Sequence, residues 1–211
     1  MVILNRLLML ILTYIIPVII SNHVPKKISK KGIAALIVCY WSSALFFSVN
    51  EEMLLISIIF GSMVIVEIFI DYWTQDIIPI YIYGAMTISG IVYIFFKNNL
   101  LEHFFNSVIV FLGYFVLYIL ARWYYKEEAF GFGDVLLIFG VGFFLPKAFL
   151  LLALLLPFYL ALIHLIILKL MGHKLDRSLR IPFGPYIGIS GIMLYFMGTQ
   201  VLSWVNFIFA R

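Results

Sequence analysis

The chain contains four aspartates, Asp71, Asp76, Asp134 and Asp176, and two of them stand where long apolar runs meet turn residues. Asp71 closes a run that starts near Met53, and Asp134 opens another at Gly131-Phe132-Gly133-Asp134. A carboxylate at the edge of hydrocarbon costs about 2.5–3.5 kcal/mol on insertion scales, so it is kept where it faces protein or water with a partner. Two such groups brought together do not both ionise easily. They share a proton, which leaves one as general base and the other as general acid. A pair of this kind cleaves a bond with water and needs neither a metal nor a covalent intermediate. Composition alone leaves open that each aspartate merely ends a helix near the lipid headgroups.

The elements that must carry these groups are membrane helices. Of 211 residues, 65% are hydrophobic and 11% charged, far from the roughly 45–50% and 25% of a soluble domain. Apolar runs bounded by charges and turn residues fall at about 7–20, 33–49, 53–70, 77–96, 104–121, 133–145, 148–168 and 185–206. The spacing predicts an all-α, polytopic membrane protein of about eight spans, built as one membrane-embedded domain over residues 1–211. Arg6 and the apolar stretch after it resemble a signal peptide, but no small-x-small site follows at Ile19-Ile20-Ser21-Asn22, so this reads as an uncleaved first span. The run from Val135 to Leu145 is short for a full crossing; its helix begins deep, sits in thinned bilayer or lines a wet cavity.

Ten of the fourteen Lys and Arg residues fall in three alternate connections, around Lys26 to Lys31, Arg122 to Lys126 and Lys169 to Arg180. Cytoplasmic loops carry such an excess, which predicts both termini outside and both Asp71 and Asp134 at the cytoplasmic boundary. The net charge of +4 is therefore explained by topology, and no nucleic-acid face is expected. One cysteine, Cys39, builds neither an intrachain disulfide nor a cysteine-rich zinc site.

At Gly131 and Gly133 the backbone is free to approach another chain, as an extended substrate segment would require. GxGD is a short and weakly specific string, and its place at the cytoplasmic start of a span makes it stronger. Ile181-Pro182-Phe183-Gly184-Pro185-Tyr186 puts two prolines around a glycine at a helix entrance, a rigid turn that at its simplest starts a helix. Asp71 is followed by Thr74 and by Ile77-Ile78-Pro79 at the next helix start. A paired, membrane-boundary set of this kind is the machinery of an aspartic protease.

Taken in order, Asp71 with Thr74 and Pro79, then GxGD ending at Asp134, then Pro-Phe-Gly-Pro-Tyr, the chain resembles the prepilin peptidases, the type IV leader peptidase family of GxGD membrane aspartyl proteases. The resemblance covers roughly residues 60–205. It implies that Asp71 and Asp134 are the catalytic pair, supported by Gly131, Gly133, Pro182, Phe183, Gly184 and Pro185. It implies cleavage of the leader from type IV pilin-like precursors at the cytoplasmic face, with membrane lipid the other partner and no cofactor. Many bacterial members carry a Cys-x-x-Cys loop after the first span that belongs to an N-methyltransferase activity; here the corresponding stretch, about Ser21 to Lys31, has no cysteine, so peptidase activity alone is expected. The family's lysine two residues after the GxGD aspartate is Leu136 here, and Pro79 lies one residue later than the commonest spacing. Preflagellin peptidases would share the chemistry, whereas presenilin-like proteases carry a Pro-Ala-Leu motif instead of Pro-Phe-Gly-Pro.

Glu67, four residues before Asp71 on the same helical face, is placed to raise the proton affinity of Asp71, to bind substrate, or to bond a neighbouring helix. Asp76 lacks the helix-end position, and Asp176 sits among Lys174, Arg177 and Arg180 as an ordinary solvated charge. Glu127 and Glu128 either recognise a basic leader or are solvated loop charges. His164 reads as a buried hydrogen-bonding residue, since no second ligand lies at metal spacing. Trp41, Trp73 and Trp123 read as interface anchors. A rhomboid-type serine protease is suggested by Gly188-Ile189-Ser190-Gly191 but fails on order, because no histidine follows Ser190; HExxH is absent. The rival from another class is a small transporter binding protons or cations on membrane aspartates; it tolerates one acid at the midplane, whereas a protease needs both at one depth.

Overall fold

The computed structural model describes residues 1–24, 29–48, 50–125, 131–172 and 181–209. Within them lie eight α-helices: α1 (Val2–His23), α2 (Lys30–Phe47), α3 (Glu51–Thr74), α4 (Pro79–Phe95), α5 (Leu100–Tyr125), α6 (Phe132–Phe144), α7 (Leu150–Leu170) and α8 (Gly184–Phe209). A short 3-10 turn, Lys147–Phe149, leads into α7. The eight expected runs are eight helices, with ends that differ from the runs by a few residues where turn chemistry sets the boundary. Ser29 caps α2 by accepting the Gly32 N–H, and Asn50 caps α3 by accepting the Met53 N–H at 2.8 Å. Pro79 starts α4 at a position where its missing N–H costs nothing. Among the described residues five helices are long and apolar enough to cross a membrane, and α4 and α6 are shorter apolar ones. Large apolar side chains such as Phe46, Ile91, Phe95 and Leu170 point outward. The protein is a multi-pass, all-α membrane protein.

Two clusters form the interior. One gathers around α6, with Val135, Leu137, Ile138 and Val141 fully enclosed; the other lies between α1, α2 and the near face of α3. Helix α3 serves both and is therefore buried along most of its length. Trp41 belongs to this second cluster, only 5% exposed, with its ring N–H donated to the Thr13 hydroxyl at 3.0 Å. The expectation that it anchors an interface is corrected, because mid-helix in α2 it faces α1 rather than a membrane boundary. Trp73 and Trp123, exposed in the last turns of α3 and α5, fit that role.

Helix α6 is the short central element. At about 1.5 Å per residue, its 13 residues reach about 20 Å, against about 30 Å of hydrocarbon. Its carbonyl end must then be satisfied inside the protein. His103 and Asn106 of α5 do this: the His103 ring lies 2.9 Å from the Phe143 carbonyl, and the Asn106 amide donates to the Leu145 carbonyl at 3.0 Å. The opposite end of α6 carries Asp134 and shares one end of the bundle with the end of α3.

Candidate active site

Asp71 lies one turn before the end of α3, where Gln75 turns into the left-handed region with φ 58° and its N–H closes on the Asp71 carbonyl at 2.9 Å. A helix C-terminus is a poor place for an anion. What offsets this is the start of α8. The first N–H groups of a helix have no partner within it. Here Gly184, the first residue of α8, donates its N–H to Asp71 Oδ2 at 2.8 Å, in a buried bond. Pro185 has no N–H to satisfy, and the Tyr186 N–H returns to the Phe183 carbonyl at 3.0 Å. Asp71 thus occupies the anion position of a helix N-terminus. The approach demands glycine: a Cβ at 184 would stand 2.7 Å from Asp71 Oδ2 and 2.9 Å from its Cγ.

Asp134 sits in the first turn of α6, where the helix dipole favours a carboxylate. It is 9% exposed and Asp71 4% exposed. The helices α3, α6 and α8 pack on one another. Both carboxylates therefore lie at the same end of the bundle. Gly133 presses its backbone against Ile77, which a Cβ would approach to 2.9 Å. Gly131 and Phe132 are exposed above the buried Asp134, so the site opens at its GxGD edge. The Pro-Phe-Gly-Pro turn is seated by its phenylalanine: the Phe183 ring lies 5.0 Å from Phe158 of α7 and 6.5 Å from Tyr114 of α5. Pro182 and Pro185 flank that seat, half-buried.

Of the remaining candidates, Glu67 is fully buried and bonds the start of the neighbouring helix, with Oε2 accepting the N–H of Ile78, the residue that caps α4, at 3.0 Å. Asp76 is exposed beyond α3, its N–H directed at the Thr74 hydroxyl at 3.3 Å. Ser190 is buried, and its hydroxyl is donated to the Ile187 carbonyl of its own helix at 2.9 Å. His164 is exposed rather than buried, because α7 is peripheral and turns few residues inward; it does bond, to the Tyr186 hydroxyl of α8. Glu127, Glu128 and Asp176 lie outside the described residues. Pro182 to Pro185 form a rigid turn, as expected, and the backbone N–H within it is a partner of Asp71 that the motif alone does not announce. The signal was there in Gly184 standing directly before Pro185 at a helix start.

Fold and site together define a multi-pass membrane protein with two carboxylates from separate helices at one end of its bundle. The chain belongs to the type IV leader peptidase family, whose profile matches residues 58–166 and so spans both Asp71 and Asp134. A relative described as prepilin leader peptidase/N-methyltransferase, from Haemophilus influenzae (strain ATCC 51907 / DSM 11121 / KW20 / Rd), is 38% identical over 92 residues, covering 41% of this chain. The match spans 35% of that relative's length. No solved structure gives a significant match.

Proposed function

We propose that this protein is an aspartyl endopeptidase that removes the leader of type IV prepilin-like precursors at the cytoplasmic face of its membrane, with Asp71 and Asp134 as the catalytic pair. The observation that carries the reading is the placement of two buried carboxylates at the end of α3 and the start of α6, helices that pack on each other and on α8. One carboxylate takes a proton from water as the oxygen attacks the peptide carbonyl; the other delivers its proton to the departing amide nitrogen. The products are a new carboxyl and a free amine, and the pair ends with its one proton exchanged between partners.

The orientation is supported by Lys30, Lys31, Arg122 and Lys169, which lie at the helix ends nearest the aspartates, while Arg6, Lys97 and Lys147 lie at the other end. The precursor class is supported by the family and by the name of the Haemophilus relative. That name also includes N-methyltransferase, but Cys39 is this chain's single cysteine and lies within α2, so peptidase activity alone is proposed.

The test is cleavage of a pilin-like precursor in membranes by the wild type and by separate Asp71→Asn and Asp134→Asn variants, at equal expression. Each variant should lose about 100-fold or more in rate. Full activity in either would rule out the dyad, and an inert wild type would remove this precursor class.

A further inference from the structure

Glu67 is a fully buried carboxylate in an otherwise apolar stretch of α3, one turn before Asp71. Such a group is costly in a membrane helix unless it is held by a partner. One of its oxygens is: Oε2 accepts the N–H of Ile78, the residue that caps α4 with extended backbone at φ −104° and ψ 99°. The other oxygen, Oε1, is buried and makes no hydrogen bond. The neighbouring Ile77 presses directly on Gly133, the residue before Asp134. A single hydrogen bond thus ties the helix that carries Asp71 to the turn that bears on the backbone of Asp134.

We propose that Glu67 is a positioning residue for the catalytic pair: by holding the Ile78 N–H it fixes the α3–α4 turn, and through the contact of Ile77 with Gly133 it sets the approach of Asp134 to Asp71. The inference rests on the reading of these aspartates as the catalytic pair. What Glu67 supplies is an acceptor in a fixed place, and an amide oxygen can supply the same. A role for its charge would instead act on the titratable groups that face it, Asp71 and Tyr81.

The experiment measures precursor cleavage in membranes over a range of substrate concentrations, with accumulation and melting in detergent followed in parallel. Glu67→Leu, which removes the acceptor, should lower kcat by about 10- to 100-fold with KM within about twofold of wild type. Glu67→Gln should stay within about threefold of wild type. Ile77→Ala should also lower kcat, and the Glu67→Leu/Ile77→Ala double variant should be no worse than the poorer single one, as expected for two residues acting along one line. Glu67→Gln as impaired as Glu67→Leu, additive losses in the double variant, or wild-type kcat in Glu67→Leu would each overturn the proposal. Should Glu67→Leu fail to accumulate, an active Glu67→Gln beside an impaired Ile77→Ala upholds it and an impaired Glu67→Gln overturns it. Asp71→Asn and Asp134→Asn, run alongside, report on the pair itself and separate a failure of the dyad from a failure of its positioning.

Discussion

At the residue scale, the Asp71 carboxylate takes a hydrogen bond from a backbone N–H 113 residues further along the chain. A backbone donor is held by its helix and does not swing away, so it fixes the carboxylate more firmly than a long side chain would. It also makes the glycine obligatory. The atoms a Cβ at 184 would meet are all within the short side chain of Asp71, at 2.7 to 3.0 Å, with no flexible end to give way. Gly184→Ala should therefore leave the protein in the membrane and folded, yet lower precursor cleavage by about 100-fold, the order of loss that follows a small misplacement of a reacting group. Ser190→Ala, which breaks only a bond to its own helix, should cleave at the wild-type rate in the same assay. Loss in the Ser190 variant would reopen the serine-protease reading.

At the scale of elements, the decisive one is α6, whose 13 residues are too few to cross the bilayer. Its end away from Asp134 is held by His103 and Asn106 of α5. In hydrocarbon an unmet carbonyl is expensive. Asn106→Leu should lower stability by about 1–3 kcal/mol through the stranded Leu145 carbonyl, read as a lower melting temperature in detergent. Cleavage per folded molecule should change little, since Asn106 lies at the far end from the aspartates. A stability loss with no such remainder of activity would mean that the clamp also sets the register of α6.

At the scale of the whole molecule, the two ends of the bundle differ in charge, and that difference orients it. Single cysteines introduced into a Cys39→Ser background test the orientation. Cysteine at Lys30, beside the aspartate end, should react with a membrane-impermeant thiol reagent only after the cells are opened. Cysteine at Asn99, in the exposed α4–α5 turn, should react in intact spheroplasts. The reverse pattern would put Asp71 and Asp134 outside and exclude cleavage at the cytoplasmic face.

Much of this was legible in the chain itself. Eight apolar runs became eight helices because hydrocarbon leaves a backbone few alternatives, and Asp71 and Asp134 stood out because charges are so scarce in such runs. Local signals also marked the glycine and proline turns. Tertiary structure decided what those turns touch. That Gly184 donates to Asp71, that Glu67 holds the turn after its own helix, that His164 is exposed and Trp41 buried, all depend on which face each helix turns inward. In a helix that is apolar all round, composition does not mark that face. It is set by close packing and by where stray hydrogen-bonding groups find partners, and those partners lie tens of residues away in sequence.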